Sequence, residues 1–180
     1  MKILKNELKN ELNIRTEKNF PKEGIEFIDI MPLIIQKETF KEIIEKFAQE
    51  IQNQNVDYIV GPEARGLIIG AAVANKLNIG FIPVRKAGKL PPSTVEKTFE
   101  YEKEYGKDVL ELPKLVNEEY IGKSFYIVDD IYATGNTMKA IKEAIHDAGG
   151  IIKGEGVIMN IKELNNDTHI YSLLDIKEDN

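Results

Sequence analysis

Two adjacent carboxylates at the end of an apolar run are the residues best placed to do chemistry. Phe125 to Thr137 read FYIVDDIYATGNT, so Asp129 and Asp130 follow Val128 directly. Two negative charges at one spot repel each other unless a partner compensates them. Ala133, Thr134, Gly135, Asn136 and Thr137 then form a small, hydroxyl-bearing turn ahead of a helical pattern. Free backbone N–H groups at a helix start, with the Thr134 and Thr137 hydroxyls, suit a phosphate dianion, and Gly135 allows close approach of the backbone. The two acids can accept hydrogen bonds from vicinal sugar hydroxyls or reach Mg²⁺ through water. Taken singly, Asp130 reads as a residue favouring a helix start and Thr134 as its cap. The whole string on a strand-turn-helix points instead to phosphoribosyl binding.

Cations stand at two other turns. Gly61 to Gly66 read GPEARG after an apolar run, which places Arg65 where a guanidinium could clamp a pyrophosphate bidentately; an ordinary surface salt bridge is the plainer alternative. Val84 to Pro91 read VRKAGKLP, grouping Arg85, Lys86 and Lys89 around Gly88. That cluster suits a mobile cationic loop, or else a solvated one. Two nucleotide motifs fail. Gly122-Lys123-Ser124 resembles the end of a P-loop, but Asn117 replaces its first Gly and a strand pattern follows. Gly154-Glu155-Gly156 lacks the third Gly of a dinucleotide fingerprint.

These residues need a frame. Thr39 to Glu42 form a capping box, and Phe40, Ile43, Ile44, Phe47 and Ile51 recur at helical spacing. Strand patterns cover 58–60, 81–84, 125–128, 156–161 and 169–176, and helical patterns cover 66–77 and 136–148, the last closed by Gly149-Gly150. The intervening 85–106 read as a long polar loop, and the stretch after Met1 alternates Leu or Ile with charges at helical spacing. Strands alternating with helices predict an α/β fold with a mainly parallel sheet covered on both faces. Ligands then sit at the carboxyl ends of the strands, where the loops after Val60, Val84 and Val128 should converge.

At 180 residues the chain fits a single domain over 1–180. Hydrophobic residues at 42% and charged residues at 30% exclude a membrane-spanning design. Cysteine is absent, so disulfides and thiol chemistry are excluded, and His146 and His169 are too few for a multi-histidine metal centre. The net charge of −6 argues against nonspecific nucleic-acid binding. No secretory apolar core follows Met1, which predicts a cytoplasmic location.

The string FYIVDDIYATGNT resembles the signature of the type I phosphoribosyltransferases, which use phosphoribosyl pyrophosphate (PRPP). The resemblance implies that Asp129 and Asp130 contact the ribose 2′- and 3′-hydroxyls and that Ala133, Thr134, Gly135, Asn136 and Thr137 hold the 5′-phosphate. FPKEGIEFIDIMPL from Phe20 to Leu33, then GPEARG, VRKAGKLP, EYGK and VDDIYATGNT, occur in the order found in the adenine-using members of that family, and the likeness runs from Phe20 to Leu174. It implies a twisted, mainly parallel sheet with a small hood from about 20–35 and a mobile catalytic loop at about 86–107. In the hood, Ile25, Glu26, Phe27 and Ile28 would meet the adenine edge, largely through main-chain groups, and Ile161 would pack on the purine. From the residue types alone, Ile25, Phe27 and Ile161 read as core. Glu104, just before Tyr105-Gly106, would be catalytic beside Asp129, Asp130 and Arg65, with Glu100 and Glu102 as competitors because the loop is longer than the usual pattern. Arg65, Arg85, Lys86 and Lys89 would hold pyrophosphate. The implied reaction is adenine + PRPP → AMP + pyrophosphate in a homodimer, with Mg²⁺ carried mainly by the substrate and no dedicated protein metal site.

Two departures bear on that reading. Ile28 stands where the family commonly has Arg, and Asn136 replaces the usual second Gly, a change Asn tolerates. Two alternatives stay open. One is transfer to hypoxanthine, guanine or xanthine. The other is a non-catalytic PRPP- or purine-sensing regulator, which should carry a basic DNA-reading module that this acidic chain does not display.

Overall fold

The computed structural model describes residues 2–4, 14–19, 23–24, 26–103 and 106–176. In chain order the elements are β1 (Lys2–Leu4), β2 (Arg15–Lys18), β3 (Glu26–Asp29), α1 (Met31–Ile35), α2 (Lys37–Ile51), β4 (Tyr58–Pro62), α3 (Arg65–Leu77), β5 (Gly80–Lys86), β6 (Val95–Lys103), β7 (Gly106–Pro113), β8 (Ser124–Tyr132), α4 (Asn136–Asp147), β9 (Ile151–Ile161) and β10 (Tyr171–Ile176). Eight strands form one sheet in the order β1-β10-β9-β8-β4-β5-β7-β6, while β2 and β3 pair as a separate antiparallel ribbon. From β1 to β5 every pairing is parallel; β7 and β6 close the other edge antiparallel.

Period-two alternation along β8 supplies two cores, one on each face of the sheet. Tyr126 and Val128 join Ile158 under α2 and α3, which contribute Ile43, Phe47, Ile51, Ile69 and Val73. Phe125 and Ile127 join Val157 under α4 and the β6–β7 hairpin, which contribute Ile141, Ile145, Tyr101, Leu110 and Leu112. Full burial of each such aliphatic or aromatic side chain stabilises by about 1.5–3 kcal/mol, which holds the central strands rigid beneath their loops. No helix among the described residues is long and apolar enough to cross a membrane.

Several element expectations need correction. The helix predicted from the Thr39 capping box begins earlier, at Lys37 with Gln36 as N-cap. Only Gln36 separates it from α1, so the first bond, from Phe40 N–H to the Gln36 carbonyl (2.9 Å), is set by the incoming turn, and the Thr39 hydroxyl donates to Gln36 Oε1 at 3.3 Å. The segment 85–106 is not a loop throughout, because β5 runs to Lys86 and β6 starts at Val95, pairing with β7. Phe99 and Tyr101 alternate with acids there, a strand pattern hidden by the charge of the intervening residues. β8 continues past Val128 to Tyr132, and β9 starts at Ile151 rather than at 156. The helical pattern after Met1 is broken by strands at Lys2–Leu4 and Arg15–Lys18; its middle, 5–13, lies outside the described residues.

Candidate active site

Because β4, β5, β8 and β9 run parallel, their carboxyl ends share one edge of the sheet, where the turns carrying GPEARG, VRKAGKLP and residues 133–137 open. β8 carries Asp129 and Asp130 on its last turn of pleat. Arg65 opens α3, immediately after the turn that leaves β4. Its Nε lies 2.6 Å from Asp130 Oδ2. That oxygen is buried and has no directed hydrogen bond, so the pair is a charge contact with donor capacity still unused. Arg65 Nη1 also donates to the Ile28 carbonyl at 3.4 Å, and the guanidinium stacks over the Phe27 ring at 5.2 Å from its centroid. One side chain therefore joins β3 to the acids of β8.

Asp129 is half-buried, and its Oδ1 accepts the Asp130 N–H at 2.8 Å. Loss of surrounding water, then the neighbouring Asp130 charge, pushes its carboxyl well above the usual carboxylate range. Gly66 makes room for it, since a Cβ at that position would stand 2.7 Å from Asp129 Oδ1. The repulsion expected from the sequence is real, and Arg65 compensates Asp130 more directly than Asp129.

The turn after β8 is built to present backbone. Gly135 caps α4 in the left-handed region at φ +81°, and a Cβ there would lie 2.3 Å from the Tyr132 hydroxyl. The first turn of α4 leaves N–H groups without helical partners, as every helix start does. Thr134 and Asn136 are exposed around it, and Ala133, Gly135 and Thr137 half-buried. Helix starts of this kind attract anions through their free N–H groups and the helix dipole.

The second cationic turn is organised by Glu63, a residue of GPEARG given no role in the sequence reading. Its Oε2 accepts Arg85 Nε–H at 3.0 Å and the Lys86 N–H at 2.9 Å. The Lys86 N–H first, and then the Arg85 guanidinium, hold its carboxyl below the usual range. Arg85 is thus already paired, while Lys86 Nζ stands 3.9 Å from Asp108. The turn closes through Lys89 N–H to the Lys86 carbonyl (3.2 Å) and Gly88 N–H to Glu111 Oε1 (3.1 Å).

On β3, Phe27 stacks on Arg65 and Ile28 packs against the first core. Ile161 is half-buried as the last residue of β9, in register with Ile176. Ile25, Glu104 and the side chain of Glu26 lie outside the described residues. Also unassigned from sequence were Tyr132, Asn165 and Asp167, which meet beneath the phosphate turn. Only the polar run Asn165-Asn166-Asp167 hinted at a structured turn there. A separate depression of about 680 Å³, lined by Lys142, His146 and Ile151 among others, opens at the amino end of β9, away from this edge.

Comparison with known proteins places this geometry. Residues 34–174 match the phosphoribosyl transferase domain family. The chain is 46% identical over 154 residues to an adenine phosphoribosyltransferase of Brachyspira hyodysenteriae, covering 84% of this chain and 87% of that protein. Its fold is similar to the crystal structure of the adenine phosphoribosyltransferase of Thermoanaerobacter pseudethanolicus, with TM-score 0.82 and 37% identity over 92% of this chain and 98% of that one. It is also similar to that of Saccharomyces cerevisiae, solved with an imino-altritol bisphosphate and adenine, with TM-score 0.78 and 34% identity over 93% and 99% of the two chains.

Proposed function

Since the chain belongs to the phosphoribosyl transferase family, among its adenine phosphoribosyltransferases, we propose that its reaction is the transfer of the phosphoribosyl group of PRPP to adenine, giving AMP and pyrophosphate in purine salvage. The observation that carries this reading is the convergence, at one sheet edge, of paired acids, a phosphate-shaped turn and an arginine poised between them and the hood.

Attack of purine N9 on ribose C1 passes through an oxocarbenium-like state, so catalysis is mostly orientation and charge placement. The turn from Ala133 to Thr137 takes the 5′-phosphate. Asp129 and Asp130 accept the ribose hydroxyls, and their charge favours the positive charge developing on the sugar. Incoming hydroxyl donors compensate the Asp129 carboxyl, which the neighbouring Asp130 charge opposes. Arg65 turns its fork to the pyrophosphate, which competes with Asp130 for it. Lys86 and Lys89 join it from the second cationic turn, with Arg85 steadied by Glu63. Ile25, Glu26, Phe27, Ile28 and Ile161 surround the base, and Glu104, in the connection between β6 and β7 within the catalytic segment 86–107, assists proton transfer at the purine.

The donor set also fits the divalent ion that accompanies PRPP in this family. Asp129 and the buried Asp130 Oδ2 are hard oxygen donors suited to contact through water. Bound with the substrate, Mg²⁺ neutralises charge on the departing pyrophosphate. Our reading further makes residues 1–180 one domain and the chain a cytoplasmic homodimer, which sedimentation of the purified protein would check.

The activity is tested by supplying adenine, hypoxanthine, guanine and xanthine separately with PRPP and Mg²⁺ and measuring pyrophosphate release. Turnover with adenine is expected to exceed the others by at least about 100-fold, the discrimination a hydrogen-bonded base pocket reaches. Equal or greater turnover with another purine would assign a different base. Tight PRPP binding without pyrophosphate release would favour a regulator.

A further inference from the structure

The segment between β9 and β10 touches the phosphate turn from below, through side chains that the reaction itself does not use. Asn165 is half-buried there, and its Nδ2 donates to the Ala133 carbonyl at 2.8 Å, the Ile161 carbonyl at 2.9 Å and Asn160 Oδ1 at 3.0 Å. Its Oδ1 accepts the Asp167 N–H at 3.1 Å. Two amide hydrogens are thus shared among three oxygens, and the side chain has no donor capacity to spare. Asn160 is fully buried. Asp167 makes the second tether: its Oδ2 accepts the Tyr132 O–H at 2.9 Å and its Oδ1 the His169 N–H at 2.8 Å. The Tyr132 hydroxyl occupies the space that a Cβ on Gly135 would enter. One connection therefore grips the phosphate turn twice, at the Ala133 carbonyl and beneath Gly135.

Resting on the phosphoribosyl reading of the site, we infer that Asn165 is a positioning residue: by tying the Ala133 carbonyl to the end of β9, it holds the phosphate turn at a set distance from the base wall at Ile161. The two ends of the tie differ in stiffness. Ile161 is fixed by its ladder with β10, whereas Ala133 lies in irregular backbone between β8 and α4. Loss of the tie therefore releases the phosphate end. A shift of the turn lengthens the hydrogen bonds it offers, and losing one such bond to a charged group weakens binding by about tenfold or more. An aspartate at 165 keeps the shape and the acceptor for Asp167 N–H but turns a donor into a carboxylate facing three oxygens.

The experiment compares wild type, Asn165→Asp and Tyr132→Phe. For each, KM for PRPP, KM for adenine, kcat and the thermal midpoint are measured, together with the affinity for ribose 5-phosphate by calorimetric titration. Asn165→Asp is expected to raise KM for PRPP about tenfold and to weaken ribose 5-phosphate equally, with KM for adenine changed less than about twofold. Tyr132→Phe, which keeps the ring under Gly135 and loses only the bond to Asp167, is expected to weaken ribose 5-phosphate about threefold, and it carries the test if the first variant does not fold. Unchanged KM for PRPP and unchanged ribose 5-phosphate affinity, or losses confined to kcat and the thermal midpoint, would overturn the assignment, since a purely structural role lowers the active fraction without moving either constant. The titration needs no base: weakened ribose 5-phosphate in the variants upholds the tie even if wild type prefers another purine, whereas a wild type that binds no ribose 5-phosphate removes both readings.

Discussion

The end of β8 with the turn that follows it, and the cluster around Arg65, share Asp130, yet they are constructed in opposite ways. The first is contiguous, residues 129–137, and presents backbone N–H groups, one left-handed glycine and short hydroxyls. The cluster draws on Phe27 and Ile28 of the hood ribbon, Arg65 at the start of α3 and Asp130 of β8, the guanidinium reaching across 37 positions of sequence to the Ile28 carbonyl. A site made of backbone depends on conformation, and it tolerates Asn136 in place of a family glycine. A site made of one guanidinium depends on that side chain's fork and plane, and it couples two elements that are otherwise separate sheets.

Mutations can separate the two designs. The largest effect is expected where they meet: Asp130→Asn should lower kcat/KM for adenine and PRPP by about 100-fold or more, because a ribose contact and the counter-charge of Arg65 vanish together. Steady-state kinetics beside an unchanged far-UV circular dichroism spectrum checks it, and near-normal turnover would remove the acid from the mechanism. Arg65→Lys keeps the charge but loses the fork and the stack on Phe27, so a loss of about tenfold is expected; kinetics indistinguishable from wild type would show that charge alone suffices. Gly135→Ala tests the backbone design. With φ at +81° and the Tyr132 hydroxyl in the way, it should cost about 1–2 kcal/mol of stability and raise KM for PRPP several-fold. A variant as stable as wild type would contradict the requirement for glycine.

The smallest effect is on stability and runs the other way. Asp129 has a raised carboxyl in the folded state, so the stability it contributes is complete below the ordinary aspartate value of about 3.9 and is lost as pH rises through the raised value. Above the ordinary aspartate value the folded state therefore forfeits that stability, a loss that Asp129→Asn would not share. The variant should melt higher than wild type near pH 7 and lose that advantage as the pH is lowered toward 4, while its activity falls. Thermal unfolding across that range checks the sign, and a pH-independent gap would refute the assigned cause.

Legibility from sequence followed the same division. The strand-turn-helix around Asp129 was readable because its apolar run, acids and small turn are neighbours in the chain and each has a local physical meaning. The β6–β7 hairpin was not, because Glu96, Glu100 and Glu102 around Phe99 and Tyr101 read as loop until their strand pairs with β7 and the alternate residues fall inward. Glu63 stood within a quoted motif and still gave no sign that it would hold Arg85, since the pairing depends on β5 lying beside β4. Asn165 and Asp167 were given no role from sequence, and only the return of that loop beneath the 133–137 turn makes them its supports.

What the amino-acid sequence determined by itself is the set of chemically able groups and the local geometry of the phosphate turn, because helix starts, glycine dihedrals and strand periodicity are short-range consequences of neighbouring residues. The partners were decided only by the tertiary structure: Arg65 with Asp130 and the hood, Arg85 with Glu63, Asn165 with Ala133. Their charge contacts and hydrogen bonds act over a few ångströms of space, and chain separation carries no information about that distance until the parallel sheet has brought the strand ends to one edge.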